Sequence, residues 1–229
     1  MPETTFLRWY LRLDERPRIR VPASDEKLRR AREKLRGFRF VRQEPFECII
    51  SYVLSAQARM QLTKQRINLV ARLRGAQIDF AGERAWAFPD PPLLADLNEG
   101  YFRKLRFGWR SEWVSNVARI VEERLAEAGE GPREAESLEQ WREAADELRE
   151  IPRTGIGLKV SKCIDLFGLD RMGAVPVDTW VRKLAEDWYG VGGTDAAICR
   201  WAEERGGVPC WQQLHLPQLL PLAPPSSPL

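Results

Sequence analysis

The chain has 229 residues, 30% of them charged, and a formal net charge of +3. That length suits one core, or two small lobes sharing one, and the near balance of charge lends only weak support to a polyanionic partner. Four scattered cysteines (Cys48, Cys163, Cys199, Cys210) with no CxxC argue against a disulfide frame and a zinc site, and no apolar run could span a bilayer.

Residues 1–23 begin with an apolar cluster (Phe6, Leu7, Trp9, Tyr10, Leu11, Leu13) and continue as an Arg/Pro-rich connector. Ser24 is the expected N-cap of a first helix, with Asp25 and Glu26 in its first turn, Leu28, Ala31 and Leu35 on one face, and Gly37 as its stop. Pro45 opens a second helix whose Phe46, Ile49, Ile50, Val53 and Leu54 follow the spacing of a buried face. A third is expected from Met60 to Leu73, ending at Gly75, with loop over 86–92 and two short helices at 92–98 and 101–105. Ser111 is the expected cap of a long helix reaching about Ala128, whose face is Val114, Val117, Ala118, Val121 and Leu125. Further helices are expected at 138–149, 158–167, 179–189 and, capped by Thr194, 195–205. The proline-rich 217–229 is expected to fray into a disordered tail. With no persistent period-2 stretch and no internal repeat, the fold class is all-α.

The chemistry gathers at Ile151–Val181. Two helices flank a tight Gly155-Ile156-Gly157 turn, within a unit spanning about 138–167. Glycines allow a phosphate close to the backbone, and the free amides that open the second helix point at it. Lys159 lies in that helix's first turn, and Asp178 follows a Gly-Ala-Val-Pro-Val loop where the next helix begins. An amine and a carboxylate beside a backbone clamp suggest an amine nucleophile and an assisting carboxylate. Each also has a plainer reading: Asp178 as a helix cap, Lys159 as a phosphate contact or a solvated charge. Only seven of the 36 cationic residues are lysine, and arginine cannot supply a free amine.

This segment resembles the helix-hairpin-helix DNA glycosylase superfamily, and in particular its 8-oxoguanine DNA glycosylase/AP lyase branch. Gly155, Gly157, Lys159, Val160, Cys163, Pro176, Val177 and Asp178 carry the match. The resemblance implies a two-lobed all-α fold with DNA bound across the lobe junction. It implies 1–23 as a linker-like segment on the helical body and 24–216 as the glycosylase core. The strand-rich lobe that precedes this linker in the branch has no counterpart in the sequence.

For chemistry, the resemblance implies Lys159 as the amine that attacks C1′ and forms a Schiff base. Free amine would require desolvation or cationic neighbours, and Lys162 and Arg153 are the candidates. Asp178 would stabilise the oxocarbenium-like centre. Cys163 and Pro176 would line the pocket for a base extruded from the stack, with Gln213 on its Watson–Crick edge. The phenylalanine that stacks on that base in the branch is replaced by Leu216 or Pro217, beside His215.

At the duplex, Gln57 would fill the vacated space, although the branch's asparagine run is absent. Leu62 stands where a second arginine reads the orphaned cytosine, and Arg59 is the candidate replacement. Trp109 would be the wedge and Arg110 the reader of the opposite base. For Cys163 and Trp109 the plainer readings are a small core thiol and a loop anchor.

The implied partner is double-stranded DNA containing oxidised guanine, bound by a monomer without cofactor, metal or membrane. The implied compartment is intracellular, the cytoplasm or nucleoid, or the nucleus in a eukaryote. Two rivals stand beside this reading: a monofunctional alkylated-base glycosylase, in which a non-amine residue replaces Lys159, and a non-catalytic helix-hairpin-helix DNA-binding module.

Overall fold

The computed structural model describes residues 3–15, 21, 23–34, 36–127 and 138–205. The expectations for Gln213, Cys210, His215 and the tail fall outside them.

Helix α1 (Glu3–Tyr10) leads into a turn at Arg12, a buried arginine with φ 53°. Helix α2 (Glu26–Lys34) is capped by Asp25 rather than Ser24, with Asp25 Oδ1 accepting from Leu28 N–H at 3.0 Å. Asp25 also takes the Tyr189 hydroxyl at 2.9 Å, so one carboxylate caps a helix and ties down a distant one. Helix α3 (Pro45–Ser55) starts at its proline, with the Glu44 carboxylate accepting from the N–H groups of Phe46 and Glu47.

Helix α4 (Met60–Arg74) is followed by a β-hairpin that the sequence reading lacks. Strands β1 (Gln77–Phe80) and β2 (Glu83–Trp86) pair antiparallel, Gln77 opposite Trp86 and Phe80 opposite Glu83. Ala81 and Gly82 both have positive φ, as a two-residue hairpin turn demands. Strand β1 alternates polar and apolar (Gln77, Ile78, Asp79, Phe80), but four residues are too short a stretch to establish a period, and β2 (Glu83, Arg84, Ala85, Trp86) does not continue it.

Short helices α5 (Pro91–Ala95) and α6 (Glu99–Lys104) precede α7 (Arg110–Glu127). Ser111 is not its cap. It sits inside the first turn with its N–H bonded to Gly108 O at 3.1 Å, because the left-handed Gly108 starts the helix one residue earlier. Helices α8 (Leu138–Glu150) and α9 (Leu158–Gly168) flank the glycine turn. Then come α10 (Thr179–Tyr189), stopped by left-handed Gly190, and α11 (Asp195–Glu204), capped by Thr194.

These elements form two compact units, 44–164 and 1–43 with 165–229. In the first, the apolar face of α3 packs with α7, and Phe46 meets the rings of Phe88 and Trp141 at 5.9 and 6.4 Å. In the second, Val175, Val177, Val181, Leu184 and Trp188 share a core with Leu28 of α2 and Ile198 of α11. Arg42 is nearly buried there, and its guanidinium donates to Asp170 Oδ2 at 2.9 Å and to Trp9 O at 2.7 Å. Asp170 also accepts from Arg12, so the N-terminal turn is held by paired charges whose hydrogen bonds offset their desolvation. Among the described residues no helix is long and apolar enough to cross a membrane.

Candidate functional site

The turn between α8 and α9 is built on Thr154, a residue the sequence reading passed over. It is 2% exposed, and its hydroxyl lies 3.1 Å from the carbonyl oxygens of both Leu148 and Ile151 while accepting from Ile156 N–H at 3.4 Å. A buried hydroxyl with partners in both helix end and turn holds the turn closed. Ile156 points into the protein. Gly155 has φ 73°, and a Cβ built on it would stand 2.0 Å from Cε3 of Trp113. Glycine is required there twice, by conformation and by the ring.

Gly157 differs from Gly155. Its φ lies outside that region, and a Cβ would meet nothing within 4 Å. Its lack of a side chain therefore leaves an open surface at the start of α9, whose first turn carries no acidic residue. Such a helix start suits an anion. Gly157→Leu is expected to leave the melting temperature unchanged and to weaken binding to damaged and undamaged duplexes by a similar factor, because a backbone contact carries no base information. Titrations of both duplexes check this; loss confined to the damaged one would assign the turn to a base pocket.

Along α9, Lys159 is exposed and Cys163, one turn further, is buried. The Cys163 thiol shares a hydrogen bond with the Tyr52 hydroxyl of α3, and Cys48 lies close by. Burial, then the two thiols, push the Tyr52 hydroxyl well up, and burial does the same to Cys48, so both stay protonated and neutral. Tyr52 was missed because it sits between core positions Ile49 and Val53 and reads as packing. Arg153 does not stand as an unpaired cation toward Lys159: it forms an ion pair with Glu112 at 2.8 Å.

Asp178 and Pro176 belong to the other unit. Pro176 is buried between Val175 and Val177. Asp178 is the N-cap of α10, with Oδ1 accepting from Trp180 and Val181 N–H, each at 2.9 Å. Both bonds fix the carboxylate at the start of α10.

The remaining predicted residues meet around the C-terminal end of α3. Gln57 is exposed in a left-handed turn, φ 52°, and Arg59 is exposed at the N-cap of α4. Exposed Leu62 follows one turn on. Trp109 is 42% exposed, its ring edge-to-face with Trp113 at 4.2 Å.

Arg110, expected to face a base, is instead 6% exposed. Its Nε and Nη2 both donate to Ala56 O, the former at 3.0 Å, and its guanidinium lies 3.8 Å from the Trp109 ring centre. It thereby fastens the turn that presents Gln57. Arg110→Ala is expected to lower stability by about 1–3 kcal/mol by stranding the Ala56 carbonyl, and to erode preference for cytosine opposite the lesion. Denaturant melts and excision rates on four opposite-base duplexes check both; an unchanged preference would leave Arg110 as scaffold.

No protein-family profile matches the chain. The fold is that of the helix-hairpin-helix DNA glycosylases: it superposes with TM-score 0.71 on the Clostridium acetobutylicum 8-oxoguanine glycosylase/lyase in complex with double-stranded DNA containing cytosine opposite 8-oxoguanine. That match covers 93% of this chain and 74% of the other at 22% identity. In sequence, its relatives are N-glycosylase/DNA lyases. The enzyme of that name from Arabidopsis thaliana is 33% identical over 156 residues, 67% of this chain and 41% of its own length. A probable N-glycosylase/DNA lyase from Methanothermobacter thermautotrophicus is 28% identical over 214 residues, 84% of this chain and 66% of its own length. The chain thus spans less than two thirds of these curated relatives.

Proposed function

We propose that the protein is a base-excision DNA glycosylase with AP lyase activity that removes 8-oxoguanine from duplex DNA. The observation that carries this reading is an exposed lysine in the first turn of a helix that opens on the Thr154-to-Gly157 turn. An amine there lies within a side chain's length of any phosphate held at the turn.

In this reading a base flipped from the stack leaves as the Lys159 amine bonds to C1′. The amine gives one proton to the departing base and the other to O4′ as the C1′–O4′ bond breaks, and the opened sugar is left as the Schiff base. Elimination of the 3′ phosphate then nicks the strand. The Asp178 carboxylate supports the positive charge that develops at C1′. Cys163 and Pro176, with Gln213, line the base pocket. Gln57, Arg59 and Trp109 occupy the opened duplex, and Arg110 supports them.

We assign residues 24–216 to the functional body and 1–23 to a linker-like segment. The enzyme acts as a monomer without cofactor, wherever genomic DNA is kept, the nucleoid or the nucleus. The rival monofunctional reading requires water as nucleophile and gives an amine at residue 159 no task.

Borohydride trapping on a duplex with 8-oxoguanine opposite cytosine tests the proposal, and a covalent protein–DNA adduct is expected. Base release without adduct would assign a monofunctional enzyme, and tight binding with neither product would assign a binding module.

A further inference from the structure

We propose that Trp113 is a positioning residue that props the Trp109 wedge and the Gly155 turn against one another, so that neither works at full strength without it. Trp109, Glu112, Trp113 and Asn116 are spaced i, i+3, i+4, i+7 and form one stripe running from the loop before α7 onto that helix. Every member of the stripe touches the turn or another member. Glu112 holds the Arg153 guanidinium at 2.8 Å, and Asn116 Nδ2 donates to Arg153 O at 3.1 Å. The Trp113 ring lies so close over Gly155 that no Cβ fits between them. The same ring meets Trp109 edge-to-face. From Trp109 the contacts continue through the Arg110 guanidinium to Ala56 O, at the foot of the Gln57 turn.

Two groups assigned to DNA, a wedge and a phosphate-gripping turn, thus both rest against one indole. Trp113 is itself only partly buried, so it is not simply a core residue. An exposed aromatic at a loop, with rotamer freedom, inserts into a stack only after it has been ordered, and that ordering opposes binding. A ring packed at 4.2 Å against Trp113 is already oriented. The turn gains likewise: its left-handed Gly155 and Arg153 are both fixed from α7.

The inference rests on the DNA-binding reading above, and the test separates the two. Affinity for a duplex carrying a tetrahydrofuran abasic site opposite cytosine is measured for Trp109→Ala and Gly157→Leu, each with Trp113 intact and with Trp113→Ala. Melting temperatures are recorded for every variant, and Trp113→Leu replaces Trp113→Ala if the latter unfolds. With Trp113 intact, both substitutions are expected to weaken binding. In the Trp113→Ala background each loss is expected to shrink by about threefold or more, the size of coupling seen between residues in contact. Trp113→Phe, which keeps an aromatic face, is expected to restore most of the wild-type loss, which a general loss of stability would not do. Equal losses in both backgrounds would overturn the positioning role while leaving the DNA reading intact. No loss from either substitution with Trp113 present would overturn the wedge and the turn as DNA contacts, and the coupling with them.

Discussion

Lys159→Gln is expected to abolish borohydride trapping while leaving affinity for the 8-oxoguanine duplex within a few-fold of wild type. Glutamine, one atom shorter, stays polar and solvated at the exposed start of α9 but has no basic amine, so no Schiff base can form. The phosphate grip rests on the turn itself, with Thr154 inside it and Trp113 beneath Gly155, and the substitution touches neither. Trapping gels and fluorescence anisotropy on the same duplex separate chemistry from binding. If affinity fell in step with trapping, Lys159 would be a phosphate contact, and the nucleophile would have to be sought among other amines.

The second large effect is expected at Asp178. Asp178→Asn should slow single-turnover excision by about 10²-fold or more, the scale on which removing one electrostatic stabiliser acts. Binding and melting temperature should scarcely move. Asparagine still offers a side-chain oxygen to the Trp180 and Val181 amides, and it caps helices as well as aspartate does. What it removes is the negative charge. A large fall in melting temperature with normal excision would make Asp178 a cap and nothing more. The serine variant gives a control, since serine also caps but has a shorter reach.

The sequence disclosed most where local rules are strong. Pro45, Asp178 and Thr194 mark helix starts by residue type, and all three helices begin as those residues require. The Ser24 and Ser111 assignments failed for a shared reason. Ser24 lies next to Asp25, whose carboxylate caps the helix, and Ser111 lies three residues past the left-handed Gly108 that starts its helix, and residue type alone does not rank such neighbours. The exposed β-hairpin alternates over one four-residue strand alone, too short a stretch to establish a period. The site was legible as a set of residues but not in its orientations. Arg110 looked like a base reader until its guanidinium was found on Ala56 O, a residue 54 positions away. Thr154, Trp113 and Tyr52 were overlooked because each acts through a contact distant in sequence, with no local pattern to announce it.

The division of the chain bears on how it folds. Residues 44–164 are one uninterrupted run, whereas the other unit is assembled from the two flanking segments. On a ribosome, the continuous run is complete before any of 165–229 has been made, so it can collapse on contacts of its own. Arg12 must wait for Asp170, a partner 158 residues later, and Asp25 waits 164 residues for the Tyr189 hydroxyl. Closing loops of that length slows assembly. Until then α1 carries Phe6, Leu7 and Trp9 without the charge network that seats the turn after it. A released fragment ending at residue 164 should therefore resist protease within 44–164 while remaining cleavable before residue 43.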